Sequence, residues 1–211
     1  MNPLLEKLIA DEPALEAAVP QIMAAFELWK DSFAQGGKTL VCGNGGSAAD
    51  SEHIVGELMK GFLLKRPLPW EEKDRLQEAF GSQGTYLAAH LQGALPAISL
   101  ASQTSLLTAF ANDVAADLIF AQQVYGYGRP GDVLLAISTS GSSANVVHAL
   151  RVAKLKEMKT IGLMGQGSGQ MEDLCDAAIK VPYSSTPDIQ QRHVAVYHTL
   201  CALLEQHFFG A

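Results

Sequence analysis

The run DVLLAI at residues 132–137 constrains this chain more than any other stretch. It is apolar without alternation, a pattern a strand carries when both faces of its sheet are covered, as in a parallel sheet between helix layers. Apolar runs of the same kind lie at residues 39–42, 96–101, 160–164 and 177–181, with helical patterns between most of them. Strands alternating with helices point to an α/β fold: a three-layer α/β/α sandwich around a five-stranded parallel sheet, doubly wound or flavodoxin-like.

Residues 1–36 read as N-terminal helices. Leu4, Leu5, Leu8, Ile9, Leu15, Val19, Ile22, Met23, Phe26, Leu28 and Trp29 give one apolar face per helix, and Pro13 and Pro20 mark a break between the two. Further helices are expected over residues 47–61, 106–113, 118–127, 144–157 and 187–209. Residues 62–95 stand apart, with loop-like Lys65-Arg66-Pro67 and Pro69-Trp70, a charged amphipathic helix over 71–80, a turn at 81–84 and a helical pattern over 85–91. The length of 211 residues suits one domain spanning 1–211.

Two strand-to-helix loops carry the chemistry. Residues 39–58, TLVCGNGGSAADSEHIVGEL, run from a strand through Gly43-Asn44-Gly45-Gly46 into a helix, a way of presenting backbone N–H groups to an anion. It is neither a Walker A loop nor a dinucleotide fingerprint. His53 and Glu57, four residues apart, project from one face of that helix about a turn beyond the loop, as a reactive pair or as a surface pair. The second loop, Ser138-Thr139-Ser140-Gly141-Ser142-Ser143, supplies hydroxyls and N–H groups for a phosphate dianion without a lysine. N-capping by Ser142 or Ser143 accounts for one or two of those hydroxyls but not for the whole set. In an open parallel sheet both loops fall beyond the carboxyl ends of the strands, where ligands bind.

Composition narrows the function classes. The net charge is −7, and no basic run exceeds Lys65-Arg66, which argues against nucleic acid as a partner. No apolar run approaches the roughly 18 residues of a membrane span. The first residues, MNPLLEKLIADEP, lack the apolar core of a signal peptide, so the expected location is cytoplasmic. Cys42, Cys175 and Cys201 lie far apart in apolar segments and read as reduced core thiols.

Five blocks in order, GNGGSAADSEHIVGEL, LPAISL, AFAND, GDVLLAISTSGSSANV and TPDIQQRHVAVYH, resemble the sugar-isomerase (SIS) domain family, and within it the phosphoheptose isomerases. The resemblance covers nearly the whole chain except residues 62–95. It implies isomerisation of sedoheptulose 7-phosphate, one zinc ion per subunit and a homotetramer with active sites at subunit interfaces. It places sugar-phosphate contacts on Asn44, Gly45, Gly46, Asn112, Asp113, Ser138, Thr139, Ser140 and Ser143. The implied metal set is His53, Glu57, Gln190 and His198, with Glu57 and Gln190 also touching substrate. Imidazole, carboxylate and amide oxygen make a sensible zinc shell.

Ketose–aldose isomerisation moves a proton between C1 and C2 through an enediol, which needs a base at the carbons and an acid or metal at the oxygens. Glu57 is the expected base and His198 the expected acid. Tight metal ligation and proton donation compete at one imidazole, so the division of labour at His198 stays open. Two positions depart from the family pattern: Gly56 stands where a larger residue is usual and suggests a looser helix, and Asp188 stands where Arg is common. Gln190 and His198 lie eight residues apart, roughly 12 Å along one helix, so either Gln190 sits at a bent helix start or the two serve different subunits. His193 is a rival ligand or a helix-surface residue. Two alternatives to the heptose activity remain: a non-catalytic SIS protein binding a sugar phosphate or a partner such as a replication initiator, and an isomerase of another sugar phosphate. Residues 62–95 read as an insertion that lies across the subunit interface beside the site, with Trp70 and Tyr86 suited to a buried contact, or as an ornament on its own subunit.

Overall fold

The structure, a computed structural model, describes residues 2–167 and 169–210. The chain opens with helix α1 (Pro3–Asp11), a 3-10 segment (Pro13–Ala18) and α2 (Val19–Ala34). Pro13 begins the 3-10 segment and Pro20 occupies the first turn of α2, where a missing N–H costs nothing. Five strands follow in alternation with helices: β1 (Thr39–Cys42), α3 (Gly46–Met59), α4 (Trp70–Phe80), α5 (Ser82–His90), β2 (Ala97–Ser99), α6 (Thr104–Asp113), α7 (Ile119–Tyr127), β3 (Val133–Ile137), α8 (Ala144–Leu155), β4 (Lys159–Met164), β5 (Ala177–Lys180) and α9 (Thr186–Phe209).

All strand pairs are parallel and the order is β2-β1-β3-β4-β5. The continuous apolar reading of residues 132–137 has its cause in two packed faces. Val133, Leu135 and Ile137 point into a core with Val41, Ile161, Leu163, Ile179 and residues of α1, α2, α3 and α9. Leu134 and Ala136 face the opposite core with Leu40, Cys42 and residues of α7 and α8. The switch in winding direction falls between β1 and β3, so the carboxyl ends of these two strands form the crevice where such sheets take their ligands.

Helix α3 runs unbroken through Gly56, where a Cβ would meet open space. Ile54 and Leu58 on either side of it are buried in the core. The α4–α5 pair packs chiefly on itself, and α4 buries none of its residues. Its base is tied down by a bridge between Pro67 and Gln92 and by the Gly93 amide on the Arg66 carbonyl (2.7 Å). Trp70 and Tyr86 are exposed. Among the described residues no helix is long and apolar enough to cross a membrane.

His193, read as a rival ligand or a surface residue of its helix, is neither surface-exposed nor part of the histidine–carboxylate group described below. It is fully buried in α9 beside the Met164 backbone, and loss of solvent lowers its pKa to about 4. The unfolded chain therefore binds a proton at this residue between pH 6.5 and about 4 while the folded one does not. Stability falls as pH drops through that window, by up to about 3 kcal/mol, and His193 adds no further loss below it. Urea unfolding at pH 7 and pH 4.5 should show a much smaller acid loss for His193→Phe than for the parent; parallel losses in the two proteins would refute this.

Candidate active site

The loop between β1 and α3 is shaped by two glycines. Gly45 has φ +55 and ψ −120, a conformation open to glycine and costly for other residues. Its carbonyl accepts from Ala48 (3.0 Å) and Ala49 (3.2 Å), so it opens the helix without a side-chain cap. At Gly46 a Cβ would lie 2.5 Å from the Gln190 side-chain nitrogen. The start of α3 and the start of α9 thus touch through a bare Cα.

The loop between β3 and α8 lies beside it. Ser143 occupies the N-cap of α8 yet makes no capping bond. Its hydroxyl lies 2.9 Å from the hydroxyl of Ser138, which is also 3.4 Å from that of Ser140. Capping therefore does not account for these hydroxyls, and α8 begins beside them without a side-chain cap. Asn44 and Asn145 exchange two amide hydrogen bonds of 2.9 Å each and join the two loops. Together they border the β1/β3 crevice, an arrangement able to cradle an anion.

Two turns further along, α3 and α9 bring three groups together. His53 Nε2 lies 3.0 Å from Glu57 Oε1 and 3.4 Å from His198 Nε2. One ligand atom from each of the three lies within 4.8 Å of the others. Among the described residues Glu57 Oε2 is buried with no hydrogen-bond partner. Burial and the neighbouring His53 lower the pKa of His198, against the pull of Glu57, and so favour a neutral imidazole with a lone pair. Behind His53, the Tyr197 hydroxyl lies 3.0 Å from His53 Nδ1 and donates to Asp50 Oδ1 at 3.3 Å. Burial raises the Asp50 carboxyl pKa, with Tyr197 and His53 acting in the opposite sense. The donor set fits a zinc ion: two imidazole nitrogens, a carboxylate with an unsatisfied buried oxygen, and spacings that shells with bonds of about 2.0–2.2 Å require.

The expected site residues fall into three groups. His53, Glu57 and His198 converge. Asn44, Gly45, Gly46, Ser138, Ser140 and Ser143 build the cradle, and Thr139 within it anchors the loop, its carbonyl accepting from Gly165 at 3.1 Å. Gln190 joins the cradle end through Gly46, and among the described residues no hydrogen bond links it to the three converging groups. Asn112 and Asp113 end α6, exposed to solvent, with Asn112 Nδ2 donating to Asp113 Oδ1 at 2.8 Å. Helix α9 is one continuous helix from Thr186, with no separate segment carrying Gln190. Ser185 caps it, its hydroxyl accepting from the Asp188 amide and donating to the Asp188 carboxylate, which also complements the helix dipole.

Sequence reasoning missed Asp50, Tyr197, Asn145, Arg66 and Glu205. Asp50 had a signal, since it precedes His53 by three residues and Glu57 by seven on one helical face. The Arg66–Glu205 pair had none. Arg66 Nε donates to Glu205 Oε1 at 2.7 Å, and both side chains are buried. Its other nitrogens reach the carbonyls of Leu58 (2.7 Å) and Glu57 (2.9 Å), capping the end of α3. Glu205 also accepts from the amides of Phe62, Leu63 and Leu64. Removing one member strands the other without water, so Arg66→Met should cost about 3–5 kcal/mol. Denaturant titration checks this, and a loss under about 1 kcal/mol would contradict it.

Comparisons with known proteins bear on the family and the fold. The SIS domain family matches residues 11–72 and 75–165. The phosphoheptose isomerase of Rhodospirillum rubrum is 44% identical over 186 residues, covering 88% of this chain and 85% of the relative. That of Burkholderia pseudomallei is 39% identical over 207 residues, covering 98% and 90%. Among solved structures, a phosphoheptose isomerase from Neisseria gonorrhoeae superposes with a TM-score of 0.75 at 33% identity, over 96% of this chain and 94% of that one. One from Francisella tularensis gives 0.74 at 30% identity, over 97% and 96%. With this sheet order, this pair of loops and relatives matched over nearly their whole length, the chain belongs to the phosphoheptose isomerase branch of the SIS domain family.

Proposed function

We infer that the chain is an aldose–ketose isomerase that interconverts sedoheptulose 7-phosphate and D-glycero-D-manno-heptose 7-phosphate. The observation that carries the reading is Glu57, a carboxylate whose buried Oε2 has no partner among the described residues, set near two imidazoles and about three helical turns from the phosphate cradle. The phosphate lies on Ser138, Thr139, Ser140 and Ser143 and on the Asn44-Gly45-Gly46 turn, with Asn112, Asp113 and Gln190 as further sugar contacts. Hydroxyl donors and two helix N-termini support that end of the assignment. Glu57 takes the proton from one of C1 and C2 and returns it to the other. His198 serves the oxygens, whose protons must move in the opposite sense.

We propose that His53, Glu57 and His198 hold a zinc ion; Gln190, the further ligand the family resemblance implies, lies eight residues from His198 on the continuous helix α9 and so would serve the site of a different subunit. Such an ion supplies Lewis-acid polarisation of the substrate oxygens. A basic group with an unpartnered oxygen in a partly buried site is the arrangement that proton abstraction beside a carbonyl needs.

The purified protein, incubated with sedoheptulose 7-phosphate, should form the aldose heptose 7-phosphate. Glu57→Gln keeps the shape and removes the base, so turnover should fall by roughly 10²–10⁴ or more while sugar-phosphate binding persists. Turnover of another sugar phosphate alone would move the substrate assignment. Near-parental turnover by the variant would place the base elsewhere.

We also propose a homotetramer with sites at its subunit interfaces, in which the α4–α5 hairpin clasps a neighbouring subunit. Trp70, Phe80 and Tyr86 are 71%, 60% and 63% exposed, a large apolar surface for one short hairpin. Replacing residues 70–90 with a short linker should weaken association in sedimentation experiments or raise KM. Unchanged association together with unchanged kinetics would make the hairpin an ornament.

A further inference from the structure

We propose that Tyr197 and Asp50 are positioning residues that fix the tautomer of His53 and aim the lone pair of its Nε2 at Glu57 and His198; the inference rests on the metal reading of those three residues.

The argument is a count of donors and acceptors. Tyr197 is 1% exposed, so its hydroxyl has no access to bulk water. It meets two groups, Asp50 Oδ1 at 3.3 Å and His53 Nδ1 at 3.0 Å. An ionised carboxylate only accepts, so the single phenolic proton goes to Asp50. The phenolic oxygen then accepts, and His53 Nδ1 carries the hydrogen that it receives. A neutral imidazole with its proton on Nδ1 has a bare Nε2.

That bare nitrogen lies 3.0 Å from Glu57 Oε1 and 3.4 Å from His198 Nε2. With the proton held at the far side of the ring, Nε2 and the carboxylate oxygen face each other as two acceptors. Such a pair is unfavourable unless a cation or an extra proton lies between them. The Asp50–Tyr197 pair therefore turns a plain His–Glu hydrogen bond into a cation-binding set. A carboxylate reaching a metal-ligating imidazole through a phenol is an outer-shell arrangement in the sense that orients ligands and raises their basicity. Ring packing supports the same role. The His53 and Tyr197 rings meet edge to face with centroids 5.6 Å apart, which holds the imidazole plane as well as its protonation.

Two readouts test the proposal, and one needs no metal. In the metal-free protein, at a pH where the imidazole is neutral, nitrogen chemical shifts should report His53 protonated on Nδ1. In Tyr197→Phe they should move toward the Nε2-protonated form, which Glu57 then stabilises. Zinc affinity, measured by chelator competition on folded protein, should fall about 10–100-fold in the variant. Asp50→Asn leaves the phenol and its packing in place and should give a smaller loss of the same kind. It also serves if Tyr197→Phe does not fold. A merely structural role would lower the melting temperature and leave the tautomer and the zinc affinity unchanged, which overturns the proposal. If the parent binds no zinc, the metal reading fails, and the nitrogen shifts still decide the tautomer.

Discussion

The buried ion pair between Arg66 and Glu205 is the contact on which the rest of the site's geometry hangs. Helix α3 carries His53 and Glu57, and helix α9 carries His198. Neither helix fixes the other's axial position through apolar packing alone, because such packing is non-directional. The pair does so with directional bonds. Arg66 closes the carbonyl end of α3, while Glu205 on α9 receives Arg66 and three successive amides of the segment leaving α3. A slip of one residue between the helices would break all of these at once.

With that end fixed, the two helices run side by side in the same direction. Gly46 meets Gln190, Asp50 meets Tyr197, His53 meets His198, and Phe62 meets Glu205. The N-termini of both helices therefore point to the same end, beside the N-terminus of α8. Backbone N–H groups and the positive ends of the dipoles gather there, which suits a phosphate. The imidazoles and the carboxylate sit two to three turns away, so on the proposed function the reacting groups lie apart from the anion. On that reading one helix pair separates the binding of charge from the chemistry.

The sequence made the fold legible because its signals are local. Uninterrupted apolar runs, glycine or hydroxyl turns, and helices of 10 to 15 residues read directly as a covered parallel sheet. Boundaries of all five strands fall within one or two residues of the apolar runs. His53 and Glu57 were legible for the same reason, being four apart on one helix. His193 was misread because a helical period does not say how deep a position lies, and α9 is buried on more than one side. The Arg66–Glu205 pair is 139 residues apart in sequence. A charge in a Lys-Arg-Pro stretch looks like any solvated loop until its partner is known. Asn145 stayed hidden likewise, since only the adjacency of β1 and β3 brings it to Asn44.

Glu57 and Glu205 show how one pair of helices makes two carboxylates do opposite work. Burial alone would raise the pKa of Glu205, but the amides of Phe62 and Leu63 and the guanidinium of Arg66 overcome it and hold the carboxyl below its ordinary range. Every oxygen of Glu205 is occupied, so it stays ionised and inert. Glu57 has one oxygen against His53 and the other buried without a partner. Asp50 repeats the pattern, with Oδ1 held by Tyr197 and Oδ2 unpartnered. A fully satisfied polar network stabilises a fold, whereas a buried acceptor left open costs free energy unless something fills it. The open acceptors of Asp50 and Glu57 lie on one face of α3, beside His53 and facing α9. The satisfied carboxylate thus belongs to the frame, and the unsatisfied ones lie where the proposed function requires a proton or a cation to be met.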